Sequence, residues 1–208
     1  DDKALSHGLL KVDFGVHVDG WAADNAFSVD LENSEENKML IEAGEQALKK
    51  ALDITKLGIS TDKIGSVISE TIEASGFSPI VNLSGHSMEH YNLHAGITIP
   101  NIDDKRNVKL GEGFYAIEPF ATPGSGKIKE GKPSGIYELI SEKPPRSLAT
   151  REVLHFIKKE YHTLPFCSRW IYKKFGARGL FALRELEING NLHQFAQLVE
   201  ISGSKVSQ

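Results

Sequence analysis

Cysteine is almost absent from this sequence, because Cys167 is the single one among 208 residues. One thiol excludes an internal disulfide framework and is typical of a reducing compartment, so we expect a cytoplasmic protein. Cys167 lies in the apolar-flanked run LPFCSRW, which favours a buried small side chain over a nucleophile. The fold should therefore depend on a hydrophobic core rather than on cross-links.

Long apolar runs and an excess of basic residues are also missing. No apolar run approaches the ~20 residues that a helix needs to cross a bilayer, and no secretory signal is recognisable. The 24 lysines and arginines stand against 28 aspartates and glutamates, a net charge of −4. A nucleic-acid binder usually carries a basic stripe, so neither membrane association nor direct reading of nucleic acid is expected. The one basic cluster is interpreted as the solvent-facing side of a helix and comprises Arg169, Lys173, Lys174 and Arg178.

The composition that remains is that of a folded domain. Hydrophobic residues make up 40% and charged residues 25%, without any low-complexity tract. The chain begins Asp1-Asp2-Lys3 rather than with a translation start, and it stops at Gln208 just as a strand pattern begins. We therefore expect the sequence to be a fragment of a longer protein.

Two alternating runs on either side of Asp19-Gly20 predict a β-hairpin, because a two-residue type I′ turn needs positive φ at both central positions. Counting back from the turn places Gly15 opposite Asp24. Asp13 lies two residues from Gly15, so Asp13 and Asp24 should be diagonal neighbours on one face of the ribbon.

Two carboxylates this close need a cation or a proton between them. A divalent metal would meet that need, with Gly15 leaving the space open. The alternative is that one carboxylate points to solvent while the other caps a turn.

A coarse pattern of helices and strands follows the hairpin. Asn33 with Glu36 forms a capping pattern that opens one helix, and a second helix should run from about Thr61 to Ala74. Residues 113–121 are predicted to form one strand, and residues 122–145 a loop or an extended crossover. The pattern then turns helical in short pieces.

Three histidines occur at intervals of four residues in GHSMEHYNLHAG. On a helix, His86, His90 and His94 would stack on one face and suggest a zinc site. The segment is a poor helix, however, because glycines bracket it and a strand-then-turn pattern precedes it. A loop in which one histidine binds metal and another faces substrate is the other interpretation.

Glu118 lies within the apolar run FYAIEPF. A carboxylate is costly in such a strand unless it is paired or coordinated, and burial would raise its pKa toward that of a general acid or base. Glu118 is therefore a candidate site residue.

Taken in order, KVDFGVHVDG with AADNAF, NLSGHSMEHYNLHAG and GEGFYAIEPFAT resemble the methionine aminopeptidases, within the pita-bread group that includes prolidase and creatinase. The resemblance covers nearly the whole chain, and the segment around TLPFCSRW resembles the insertion of the archaeal-like type 2 enzymes. It implies an α+β pita-bread fold with an antiparallel sheet, flanking helices and a small winged-helix-like insertion. Residues 1–145 would be a partial catalytic domain, 146–195 the insertion and 196–208 the return to the catalytic domain.

The resemblance also implies roles for five positions. Asp13 matches the aspartate that chelates one metal, and Asp24 matches the aspartate that bridges both. His86 and Glu118 match the ligands that complete the second metal, while Glu118 also shuttles a proton. His94 matches the histidine that contacts substrate and steadies the tetrahedral intermediate.

The implied reaction is removal of the N-terminal methionine from nascent proteins. Two divalent ions, of the Mn, Fe, Co or Zn type, would activate a hydroxide that attacks the first peptide bond. The expected partners are nascent polypeptide N-termini and the ribosome. His90 matches no ligand of the family.

The sequence departs from the family pattern in two places. A fifth ligand, a glutamate in an FEHT-type motif, should follow Gln208, and a substrate histidine should precede Asp1. We therefore expect this form to bind metal weakly or to turn over poorly.

Two alternatives share the fold. One is a proline-directed aminopeptidase or dipeptidase, although such enzymes usually carry an additional N-terminal domain. The other is a non-catalytic pita-bread protein that binds the ribosome, although such relatives have lost ligand residues. The metal content of the protein would separate the peptidases from the binding protein.

Overall fold

The computed structural model describes residues 4–208, and Asp1, Asp2 and Lys3, which bear on the expectation about the start of the chain, lie outside the described residues. The described part contains ten strands and five helices. The strands of the hairpin and of the small sheets pair antiparallel, which confirms the α+β class. Across residues 4–208, no helix is long and apolar enough to cross a membrane.

The chain divides into two compact units. The first consists of the segment that ends at Glu89, together with His94–Lys129 and Val199–Gln208. The second consists of His90–Leu93 and Glu130–Leu198, and the predicted insertion falls within its range.

The first unit is built from a hairpin, two helices and short strands. These elements are β1 (Leu9–Val18), β2 (Trp21–Asp30), α1 (Glu35–Ile54), α2 (Thr61–Ala74), β3 (Ser78–Pro79), β4 (Ser84–Met88), β5 (Thr98–Pro100), β6 (Phe114–Ala116) and β7 (Ala121–Thr122). In one small sheet, β4 lies between β5 and β6, and in another β3 pairs with β7. The core packs the inner faces of α1 and α2 against the sheet strands through buried side chains that include Leu40, Ala47, Ile64, Ile68 and Ile99.

The N-cap of helix α1 lies one residue later than the sequence pattern predicts. Asn33 adopts a positive φ of 54°, and Ser34 is the N-cap, whose side chain accepts a hydrogen bond from the Asn37 backbone N–H. The predicted capping pair of Asn33 and Glu36 is therefore wrong by one residue, because the hydroxyl of Ser34 supplies the acceptor. Helix α2 has the predicted bounds.

The second unit has its own core. Its elements are β8 (Ile128–Leu139), α3 (Leu148–Glu160), β9 (Phe166–Cys167), α4 (Ser168–Phe175), α5 (Ala177–Ile188) and β10 (Leu192–Glu200), with β8 and β10 leading the chain into and out of the unit. Side chains such as Leu154, Ile157, Phe166 and Leu186 form a single buried cluster. The four residues of the basic cluster are exposed, as predicted, but they lie on two helices rather than one, because Arg178 belongs to α5. Cys167 has a free thiol and is half-buried rather than buried.

One strand prediction needs correction. The predicted strand over residues 113–121 is interrupted between β6 and β7. For residues 122–145 the sequence predicts a loop or an extended crossover, and twelve of these residues form the extended strand β8. β8 pairs with β9 and β10, so its strand character comes from distant partners rather than from its own Gly- and Lys-rich composition.

Candidate metal centre

The hairpin has the register that the sequence predicts. Asp19 and Gly20 form the turn with φ of 47° and 84°, and Gly15 pairs with Asp24. Asp13 pairs with Ala26, which is two residues from Asp24, so both carboxylates lie on one face of the ribbon. Partial burial, followed by the charge of Asp24, raises the pKa of the Asp13 carboxyl.

Strand β4 brings His86 to this region because Gly85 allows a close approach. A Cβ on Gly85 would lie 2.2 Å from the backbone oxygen of Ala116, a distance that no side chain permits. Strand β6 can therefore lie directly beside β4, with His86 opposite Ala116. Glycine is therefore required before His86 in the GHS motif, because only a residue without a side chain allows the backbones of β4 and β6 to approach so closely.

Glu118 lies in the break between β6 and β7, and the side chain of the buried Asn101 stabilises the backbone at this break. The Nδ2 of Asn101 donates to the backbone oxygen of Glu118 at 3.0 Å, and its Oδ1 accepts from the backbone N–H of Phe120 at 3.0 Å. These bonds satisfy backbone groups that a continuous strand would satisfy with a neighbouring strand. Asn101 could not be singled out from the sequence, where it is simply a polar residue that follows the apolar run ITIP.

Asp24, His86 and Glu118 converge from three separate stretches of the chain. The Nε2 of His86 lies 3.4 Å from Oδ2 of Asp24 and 3.0 Å from Oε1 of Glu118. One potential ligand atom from each residue lies within 4.8 Å of the others, as a cation site requires.

The buried polar atoms of the cluster fit a bound cation. Oε1 of Glu118 accepts no well-aligned hydrogen bond despite its proximity to Nε2, and the buried Nδ1 of His86 also has no hydrogen-bond partner. A buried carboxylate oxygen with an unused lone pair is costly unless a cation satisfies it. Carboxylate oxygens with one imidazole suit divalent ions of the first transition row.

The neighbouring carboxylates, through hydrogen bonding and charge, determine the protonation of His86. Burial alone would lower the pKa of the imidazole, but the carboxylates of Asp24 and Glu118 outweigh burial and raise the pKa to about 10. In the absence of metal the imidazolium therefore supplies the positive charge between the carboxylates. A divalent ion bound there would replace that proton.

His94 joins His86 although the segment between them is not helical. β4 is followed by turns, and the ring centroids of His86 and His94 lie 4.4 Å apart. The stacked three-histidine helix is therefore wrong. Burial, and then the positive charge of His86, lower the pKa of His94, whereas His90 belongs to the second unit, where its ring contacts Tyr91.

Gln208 is a further residue that the sequence analysis did not place in the site. Its Nε2 lies 3.3 Å from Oδ2 of Asp13 and 3.4 Å from Oε2 of Glu118. A cavity of about 450 Å³ borders this arrangement, with Asp24, Glu118 and Gln208 among its lining residues. No local pattern marks Gln208, because only the pairing of its backbone with distant segments brings it to the carboxylates.

Comparison with known proteins gives consistent matches. Residues 1–168 match the model of metallopeptidase family M24. A protein of Pyrococcus abyssi named methionine aminopeptidase is 43% identical over 212 aligned residues, which cover 100% of this chain and 71% of that protein.

Two solved structures show the fold. A thermophilic Arx1 has a TM-score of 0.75 at 16% identity, covering 95% of this chain and 61% of that chain. Methionine aminopeptidase from Thermotoga maritima has a TM-score of 0.55 at 30% identity, covering 59% of this chain and 50% of that chain.

Proposed function

The chain belongs to metallopeptidase family M24 and to its methionine aminopeptidases, and on this premise we propose that it removes the first methionine from proteins. The observation that carries this proposal is the convergence of Asp24, His86 and Glu118, whose ligand atoms lie within 4.8 Å. These residues come from the three motifs that define the resemblance.

We propose that Asp13, Asp24, His86 and Glu118 hold two divalent ions of the Mn, Fe, Co or Zn type. Their oxygen-rich donor set supports binding of such ions without selecting among them. When bound, the ions would supply Lewis acidity and an activated water for hydrolysis.

The side chains themselves would orient and stabilise the reacting groups. The free α-amino group of a peptide would bind at an ion that these side chains hold, which would restrict cleavage to the first residue. His94, with its lowered pKa, would be a neutral imidazole that donates to the developing oxyanion, a contribution of about 3–4 kcal/mol for one donor. Glu118 would transfer a proton to the leaving amine.

The proline-directed alternative is less well supported, because the similarity over the full chain is to proteins named methionine aminopeptidase. The likeness to Arx1 at 16% identity concerns the fold alone, and the four candidate ligands argue against a protein without metal. Residues 146–195 as a type 2 insertion, the cytoplasmic location, nascent chains as substrates and an association with the ribosome stay predictions.

The decisive experiment is an assay of methionine release from the peptide Met-Ala-Ser. The full-length protein supplied with metal should release methionine, a chelator should stop the release, and addition of Mn²⁺ should restore it. N-acetylated Met-Ala-Ser should resist cleavage, because its acylated nitrogen is no longer a free amine that the site can bind. Absence of methionine release by the full-length protein with metal supplied, or its preferential cleavage of an Xaa-Pro peptide, would contradict the proposal.

A further inference from the structure

The amide of Gln208 lies between the carboxylates of Asp13 and Glu118. Its Nε2 is within hydrogen-bond distance of Asp13, on one strand of the hairpin, and of Glu118, at the break between β6 and β7. Ionised carboxylates only accept hydrogen bonds, so the NH₂ end of the amide is the end that fits between them. The two hydrogens of one NH₂ group match two acceptors.

The backbone N–H and the carbonyl oxygen of Gln208 are both hydrogen-bonded. The Ser28 hydroxyl accepts from the Gln208 N–H at 3.1 Å and donates to the Gln208 carbonyl oxygen at 3.2 Å. The preceding residue, Ser207, is fully buried and exchanges two backbone hydrogen bonds with Ala121. Since β2 also carries Asp24, the same strand positions a candidate ligand and Gln208.

The segment that leads to Gln208 is anchored as well. Thr122 donates its hydroxyl to the backbone oxygen of Lys205 at 2.6 Å, and the Lys205 ammonium donates to Glu32 and Asn37. Because the backbone is already held, only the side-chain torsions of Gln208 remain to be ordered when its amide contacts the carboxylates.

We propose that Gln208 is a positioning residue of the metal site, whose amide holds the Asp13 and Glu118 carboxylates in the orientation that binds divalent ions. The contact engages Oε2 of Glu118, so that Oε1 remains directed at His86 and the ligand cluster. Groups that orient ligands in this way commonly change metal affinity by 10- to 100-fold. The inference rests on the metal site of the proposed function.

The test is calorimetric titration of Mn²⁺ into the metal-stripped protein and its variants. Gln208→Met keeps the length of the side chain and removes its donors, whereas Gln208→Asn keeps the amide and shortens its reach. Both should bind Mn²⁺ about 10- to 100-fold more weakly than the parent protein. Gln46→Met, on an exposed turn of α1, is the matched control and should bind like the parent.

The free energy of unfolding of the metal-free variants separates positioning from general stability. A positioning role predicts weaker binding by both variants while Gln208→Asn unfolds like the parent protein. Unchanged affinity would overturn the inference, and tighter binding would also overturn it, because the amide would then be competing with the cation. If the parent protein itself binds no Mn²⁺, the metal site of the proposed function fails instead.

Discussion

At the scale of single residues, His86 owes its state to two neighbouring carboxylates. Without its imidazole, Asp24 and Glu118 would face each other with like charges and no cation between them. Removing His86 therefore both deletes a candidate ligand and disturbs the remaining two. His90 lies in the same sequence motif but belongs to the second unit and is not part of the cluster of Asp24, His86 and Glu118.

We therefore expect His86→Ala in the full-length protein to abolish methionine release from Met-Ala-Ser, and Asp24→Ala to have the same effect. His90→Ala is the matched control and should retain turnover close to that of the parent protein. Initial rates with Mn²⁺ supplied would measure both. A large loss in the His90 variant would revive the three-histidine interpretation.

Glu200 shows how hydrogen bonds alone can hold a carboxylate ionised. The hydroxyl of Ser125 and then that of Ser202 donate to it, followed by the backbone N–H groups of Ser204 and Ser125, and these bonds lower the pKa of Glu200 to about 2. The ordinary pKa of a glutamate carboxyl is 4.5. Because the folded-state pKa is the lower one, the stabilisation is complete above pH 4.5 and is lost as pH falls toward 2.

Glu200→Gln should therefore unfold more easily than the parent protein at pH 7, and the difference should shrink as the pH falls through this window. Urea unfolding at pH 7 and at acid pH would measure it. Glu45→Gln, at an exposed position of α1, is the control and should show no such pH dependence. A difference that stays constant with pH would contradict the assignment to the Glu200 carboxylate.

At the scale of elements, the hairpin β1–β2 depends on a turn that only some residues can form. Gly20 has a φ of 84°, in the left-handed region, whereas Gly111 has no such backbone and open space beside it. The turn determines the register, and a register slip by one residue would move Asp13 and Asp24 to different faces.

Gly20→Ala should lower the free energy of unfolding by about 1 kcal/mol, because a Cβ is strained at positive φ. Gly111→Ala should change it little. Denaturant unfolding of both variants under the same conditions would measure the contrast. Equal effects would indicate that the turn does not limit the stability of the hairpin.

At the scale of the whole molecule, the candidate ligands are not distributed over both compact units. Asp13, Asp24, His86 and Glu118 all belong to the first unit, which has its own buried core. The second unit packs around a different cluster of apolar side chains. Metal binding should therefore stabilise one unit selectively.

We expect Mn²⁺ to slow amide hydrogen exchange in β1, β2, β4 and residues 114–122. Exchange in α4 and α5 of the second unit serves as the internal control and should stay as it is without metal. Exchange measured by mass spectrometry with and without the ion would test this. Uniform slowing across both units would contradict a site confined to the first.

Much of the site could be predicted from the sequence because its signals are local. Asp19-Gly20 determines the hairpin register, and that register alone places Asp13 and Asp24 on one face. The motifs around His86 and Glu118 then allowed the family to be recognised. The contributions of Asn101 and Gln208 could not be predicted, because nothing in their neighbouring residues distinguishes them.

The sequence by itself determined the α+β class, the hairpin register, the bounds of α2 and the family of the chain, since alternation, capping and motif order act over a few residues. Only the tertiary structure decided that the strand pattern around Glu118 is interrupted where Asn101 hydrogen-bonds to the backbone of Glu118 and Phe120, and that residues 128–139 pair as a strand. It also brought Gln208 to the carboxylates. Each of these depends on hydrogen bonds between segments far apart in the chain, and a local pattern carries no record of such partners.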